Sequence, residues 1–214
     1  LGRGERIPPT TGGPPGAPVF MFLRGAPLAF SRRTGTASLI GRGLWLVWLG
    51  YLLNFLRGAL PATLRLEFGV VTAGQIAPFD PWWLLTSVDV HQMAGLSLVA
   101  IALLRLAAAP GPAWLAVGAG LVVAAPFLRG LETGIGPIDA ALTPVWGSAP
   151  QVYYAVVPWL VYPLAGAVFG RILAAAPDRT AIFRRGALFG LVLCAAGAAL
   201  FVLDPPTFDV STYW

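Results

Sequence analysis

The sequence contains no lysine, one histidine and one cysteine, and few charges of either sign: 14 basic residues, all of them arginine, against 9 acids in 214 residues. Each shortage excludes something. A lone cysteine, Cys194, can close no intramolecular disulfide, and its place in an apolar run suggests a small buried filler. One histidine and one cysteine cannot build a zinc site of the usual His and Cys ligands, so no metal is expected. Charged residues make up 11% of the chain, whereas soluble domains carry roughly 25%. No glycine-rich phosphate loop and no recognisable Ser-His-Asp arrangement is present.

What the sequence has instead is apolar runs, with 57% of residues hydrophobic. A helix needs roughly 20 mainly apolar residues to cross about 30 Å of hydrocarbon. The clearest run, 152–174, has no charge before Arg171, aromatic residues and two prolines in its first half, and the small pair Gly166 and Gly170 in its second. Further runs at 17–30, 44–60, 89–106, 113–128 and 186–203 predict an all-α integral membrane protein: a polytopic bundle of about six transmembrane helices in one domain over 17–214. Residues 1–16, rich in proline and glycine, predict an extracytoplasmic loop. Arg24, in the middle of the first run, should face protein, water or an acid, because a charge at the bilayer centre costs about 2.5–3.5 kcal/mol on insertion scales.

The net charge of +5 needs no nucleic acid to explain it, because the arginines cluster in short loops where they orient a membrane protein. With residue 1 outside, the inner set is Arg32, Arg33, Arg42, Arg105, Arg171, Arg179, Arg184 and Arg185, opposed by Asp178 alone. The outer set, Arg3, Arg6, Arg57, Arg65 and Arg129, is mixed with the acids Glu5, Glu67, Asp80, Glu132, Asp139, Asp204 and Asp209. The sorting predicts residues 1 and 214 on the extracytoplasmic side. The pairs Gly166/Gly170 and Gly186/Gly190 predict close antiparallel contact between the fifth and sixth runs.

Polar residues fall into two groups. Asn54, Arg57, Asp89, His91 and Gln92 lie toward the outer ends of the second and third runs. Asp89 and Gln92, three apart, share a helix face, whereas Asp89 and His91 stand about 200° apart, which argues against an Asp-His dyad on one helix. Asp89 suits a helix N-cap. His91 reads either as an interfacial histidine or as a general base for an amine or hydroxyl acceptor. The inner arginines Arg32, Arg33, Arg42, Arg184 and Arg185 read either as the basic-inside signal or as a dock for a phosphorylated donor such as an acyl-coenzyme A.

Three segments carry a family resemblance: PVFMFLRG at 18–25, DVHQMAGLS at 89–97 and YAVVPWLVYPLAGAVFGR at 154–171, together with Asn54 and the Arg42-Gly43-Leu44 tripeptide. They resemble the membrane acyltransferases typified by heparan-α-glucosaminide N-acetyltransferase and its bacterial relatives. Arg24 stands where that family usually has a small residue, and His91 where it has an apolar one. The resemblance implies transfer of an acetyl or other acyl group from cytoplasmic acetyl-CoA or another acyl-CoA to an extracytoplasmic sugar, in a bacterial cytoplasmic membrane. His91 and Asp89 would be catalytic, Asn54, Gln92, Arg57 and Trp159 would bind substrate, and Arg32, Arg33, Arg42, Arg184 and Arg185 would bind the donor. The family also carries a first span and a loop with its catalytic histidine ahead of the Pro-x-Phe-x-Phe segment. Residues 1–16 hold no histidine, so the expectation is a chain entered after that span, or a homologue without transferase activity. The alternatives are a non-catalytic accessory subunit and a transporter-like role. Expected partners are the lipid bilayer and either further copies of the chain or a larger membrane complex, not nucleic acid.

Overall fold

A computed structural model of the chain describes residues 16–31, 35–77, 79–147 and 152–203. The helices are α1 (Gly16–Gly25), α2 (Thr36–Asn54), α3 (Leu60–Glu67), α4 (Ala73–Ile76), α5 (Pro81–Thr86), α6 (Val90–Leu106), α7 (Gly111–Leu128), α8 (Gly136–Trp146), α9 (Val156–Trp159), α10 (Val161–Ala175) and α11 (Arg179–Leu203). Among the described residues there is no strand, only an isolated parallel bridge between Val88 and Val152.

Four helical stretches are long and apolar enough to cross a membrane: Thr36–Glu67 with 32 residues, Gly111–Leu128 with 18, Val156–Ala175 with 20 and Arg179–Leu203 with 25. The other two apolar runs form shorter helices. The 17 residues of α6 rise about 26 Å, and the 10 residues of α1 about 15 Å before a 3-10 turn at Ala26–Ala29 takes over. Proline explains that break, since Pro27 has no N–H to continue the α-helical ladder.

The second run continues well past residue 60, where it was expected to end. A π turn, Phe55–Ala59, joins α2 to α3, and the Leu60 N–H reaches back five residues to the Phe55 carbonyl. Pro61 accounts for this. In a regular helix its ring would press on the Arg57 carbonyl and leave it unbonded, and the wider turn opens that ring of atoms. Helices α5 and α8 were not expected as helices. Asp80 starts α5 by accepting a hydrogen bond from the Trp83 N–H at 2.8 Å.

Small residues decide which helices touch. Gly43 and Gly95 bring α2 and α6 together so closely that a Cβ on Gly43 would lie 2.7 Å from the Gly95 carbonyl oxygen, and one on Gly50 2.7 Å from the Gln92 side-chain carbon. This antiparallel pair is the most extensive in the molecule. On α10, Gly166 and Gly170 lie against the backbone of Phe22 and Ala26, and Gly25 lies against Pro163 and Ala167. The notch of the fifth run therefore receives the first, in parallel, and not the sixth. This corrects the expected pairing: Gly186 meets only the Phe169 ring at 3.6 Å, and Gly190 has nothing within 4 Å. No residue of α11 is buried, and Cys194 on it is exposed and not the buried filler expected. It touches the bundle through Phe183 and Phe169, 5.9 Å between rings, and through Arg179 over Phe30.

Gly111 near Val168 and Gly118 near Val161 set α7 antiparallel to α10. The Val88–Val152 bridge before α6 and α9–α10, with Arg105 and Arg171 side by side at their far ends, sets α6 along α10, so α1, α6 and α10 share one direction and α2 and α7 run against them. Met21, Leu39, Met93, Ile101, Trp114 and Leu164 form the buried centre where these five meet. In hydrocarbon this packing gains from dispersion and close backbone approach, since apolar burial alone favours no helix pair over lipid.

Candidate functional site

The shared direction of α6 and α10 gives the bundle two polar ends. At the first, α2 and the π turn meet the corner between α5 and α6. Ser87 leaves α5 in an extended conformation, and the segment after it pairs with the approach to α9 through the Tyr153 N–H and the Val88 carbonyl, 3.0 Å apart. An unpaired backbone corner inside a bundle is costly, and side chains satisfy it. The buried Asn54 donates its two amide N–H groups to the carbonyls of Ser87 at 2.7 Å and Leu85 at 3.2 Å. Asp89 caps α6, accepting from the Val90 N–H at 2.7 Å, and forms a capping box with the fully buried Gln92, whose Oε1 accepts from the Asp89 N–H at 3.2 Å. The helix-cap alternative for Asp89 is thus the one realised.

Arg57 reaches Asp89 at 3.8 Å, with the arginine side chain 75% exposed. His91 is half-buried beside this corner, and among the described residues its imidazole makes no hydrogen bond. Trp159, on α9, stands edge-on to Tyr154 at 4.9 Å and tilted against Tyr162 at 5.6 Å. Asp89 lies close enough to Tyr154 for its charge to act on the phenol. The structure therefore gathers Asn54, Asp89, Gln92 and Arg57 at one corner. The amide groups of Asn54 and Gln92 hold backbone, while His91 is the polar group left unengaged.

At the opposite end, the last turns of α6 and α10 and the short α6–α7 loop surround a cavity of about 640 Å³. Arg105 and Arg171 line it with Trp114, and alanines such as Ala29, Ala108 and Ala174 leave it wide. Trp114 is buried, its indole N–H held by the Ala109 carbonyl at 2.9 Å, and the Arg171 guanidinium stands over its ring at 5.2 Å. The loop is tight enough to put Ala108 at φ 51°, a left-handed conformation a side chain rarely adopts. Among the described residues that line the cavity, the charged groups are the two guanidiniums. Two guanidiniums beside an indole suit a phosphate-bearing ligand.

Of the arginines first considered for a donor, the three that are described lie elsewhere. Arg42 is exposed on α2 and Arg184 and Arg185 on α11, and none of them lines this cavity, while Arg32 and Arg33 lie outside the described residues. Among the described residues Arg24 finds no acid and its buried Nε no hydrogen-bond partner: it packs over Phe20 at 5.8 Å with Arg42 near enough for their charges to interact. Sequence reasoning had Arg105 and Arg171 only as two of eight inner arginines. Their position at the ends of two apolar runs was visible, but nothing in the sequence paired those ends. Among the described residues no three His, Cys, Asp or Glu side chains converge as metal ligands would.

No family model matches the chain, and comparison with curated proteins and with solved structures gives no match.

Proposed function

We propose that the chain is the core of a six-span acyltransferase in a bacterial cytoplasmic membrane. It would take an acetyl or other acyl group from acyl-CoA on the cytoplasmic side and deliver it to a sugar on the other. The reading is carried by the cavity flanked by Arg105 and Arg171, which lies at the opposite end of α6 from His91. The arginines suit the donor's phosphates and Trp114 the neighbourhood of its base. His91 and Arg105 are 14 residues apart on one helix, so the two ends are separated by about 21 Å. In the proposed reaction the acceptor nitrogen or oxygen bonds to the thioester carbonyl carbon, the carbon–sulfur bond breaks, and the thiolate leaves as coenzyme A. His91 takes the proton that the acceptor loses. In this topology α1 and α6 complete the crossing with the aid of flanking turns, and the chain ends outside.

An accessory role in a larger assembly is the second reading. It is favoured by α11, which buries nothing, and by the structural use of Asn54 and Gln92.

Labelled acetyl-CoA supplied to sealed vesicles carrying the full chain tests the first reading. Arg105→Gln and Arg171→Gln should each raise the KM for the donor about tenfold, the effect of one charge-assisted hydrogen bond. His91→Ala should lower kcat by about a hundredfold or more without unfolding the protein. No turnover, together with no binding of coenzyme A, would leave the accessory reading, which is checked by copurification of a stoichiometric partner.

A further inference from the structure

A second polar pocket, of about 370 Å³, lies between the π turn, α3 and the α4–α5 corner, and nothing so far accounts for it. Arg57, Arg65, Gln75 and Phe79 line it. Its polar lining is made of donors. Arg65 has no ion pair among the described residues, and Arg57 has only the 3.8 Å contact with Asp89, which lies outside the pocket. Gln75 uses its Oε1 to accept from the Thr72 N–H at 2.8 Å, and its amide N–H groups have no acceptor among the described residues. The π turn forms one wall of the pocket through Arg57 and Gly58, and on the far side Phe79 packs edge-on to Trp83 at 4.8 Å.

Depth identifies the class of ligand. The continuous Thr36–Glu67 stretch, 32 residues long, outruns the hydrocarbon. Counted from Arg42, which the charge sorting puts at the inner surface, the Arg57 backbone lies about 22 Å and that of Arg65 about 34 Å along the axis. With a hydrocarbon core of about 30 Å, Arg65 falls in the outer headgroup layer, and the long Arg57 side chain reaches outward to the same boundary. On the same elements Leu56, Leu64 and Trp82 are 52%, 45% and 68% exposed, apolar surface that suits acyl chains and their boundary beside the pocket.

We propose that this pocket binds the phosphate of an anionic phospholipid, with Arg57 and Arg65 gripping the headgroup, Gln75 donating to it, and the acyl chains lying against Leu56 and Leu64. The site is independent of acyl transfer and is occupied whether or not the chain is an enzyme. It would seat the long α2–α3 stretch at a defined depth and brace the corner that Asn54 and Asp89 close.

The test uses the full chain purified in mild detergent with phosphatidylglycerol, read by native mass spectrometry, with phosphatidylcholine as the uncharged comparison and glycerol phosphate as a soluble competitor. Wild-type protein should retain phosphatidylglycerol over phosphatidylcholine. Arg65→Gln should weaken retention about tenfold, Arg65→Lys should keep most of it, and Arg129→Gln, on a different helix end, should leave it unchanged. Size-exclusion profiles identical to wild type show that the variants are folded. Because Arg57 also meets Asp89, Arg65 carries the decision. Equal retention by Arg65→Gln and wild type overturns the proposal. Displacement by glycerol phosphate as effective as by lipid overturns the lipid assignment in favour of a soluble phosphate ligand.

Discussion

Replacing Gly166 with alanine gives a sharp test of which helices pair. A Cβ at this position overlaps the Phe22 carbonyl oxygen, lies 2.9 Å from the Phe22 carbonyl carbon and is 3.2 Å from the Ala26 nitrogen. All three atoms are backbone, so no side chain can swing away and α1 must move off α10. Overpacking usually costs about 1–3 kcal/mol, and a contact with rigid backbone belongs in the upper half of that range. Alanine returns about 1 kcal/mol of helix propensity relative to glycine. The expected net loss is therefore about 1–2 kcal/mol. Gly190→Ala is the counter-experiment: with nothing within 4 Å of its Cβ, only the propensity gain remains, so stability should be unchanged or rise by up to about 1 kcal/mol. The assay is reversible denaturation in mixed micelles, followed by tryptophan fluorescence, with both variants beside wild type. If Gly190→Ala destabilises as much as Gly166→Ala, the α1–α10 interface described above is wrong and the two glycine notches of α10 and α11 face each other after all.

Three further outcomes are expected. Asn54→Leu leaves the Ser87 and Leu85 carbonyls without their donors in a buried corner, and should cost about 1–3 kcal/mol in the same denaturation assay, whereas Arg57→Gln, at an exposed ion pair, should change it by under about 1 kcal/mol. Asp139 accepts from the backbone N–H of Thr133 at 2.6 Å and from its hydroxyl at 2.7 Å, bonds that hold its carboxyl below the usual range. A lowered folded-state value means that the loop's ordering is present above the unfolded carboxyl range and is lost as pH falls through the lowered one. Protection of the Thr133 amide against hydrogen exchange, relative to its intrinsic rate, should fall as pH drops below the unfolded carboxyl range, and Asp139→Asn should remove much of that protection at neutral pH. At the cavity, Trp114→Ala should weaken coenzyme A binding in titration calorimetry beyond what Arg171→Gln alone does, because it removes the proposed aromatic neighbour of the donor's base as well as the surface on which the guanidinium rests. Equal losses in the two variants would show that Trp114 acts only through Arg171.

Part of the polar corner was legible from spacing. Asp89 read as a helix N-cap on one face with Gln92, and the capping box that joins them is there because a helix start needs acceptors for its first N–H groups. The role of Asn54 was not legible. Its partners are carbonyls more than thirty positions away, exposed by a backbone corner that only the packing of α5 creates. The π turn escaped for a related reason: the apolar run was bounded at residue 60, and the residues around Pro61 instead carry the helix on through one wider turn. Arg24 was expected to face protein, water or an acid, and of these the structure gives it protein, the Phe20 ring, with a neighbouring arginine.

By itself the sequence determined the all-helical class, the apolar runs that suit a bilayer and the uneven distribution of arginine. These follow from composition and local periodicity, which each segment carries alone. Only the tertiary structure decided that Gly166 and Gly170 receive α1, that Arg105 and Arg171 share a cavity, and that Asn54 serves backbone. Every apolar helix face is equally at ease in lipid, so the choice among faces is made by close steric fit between backbones far apart in the chain, and no periodicity encodes that fit.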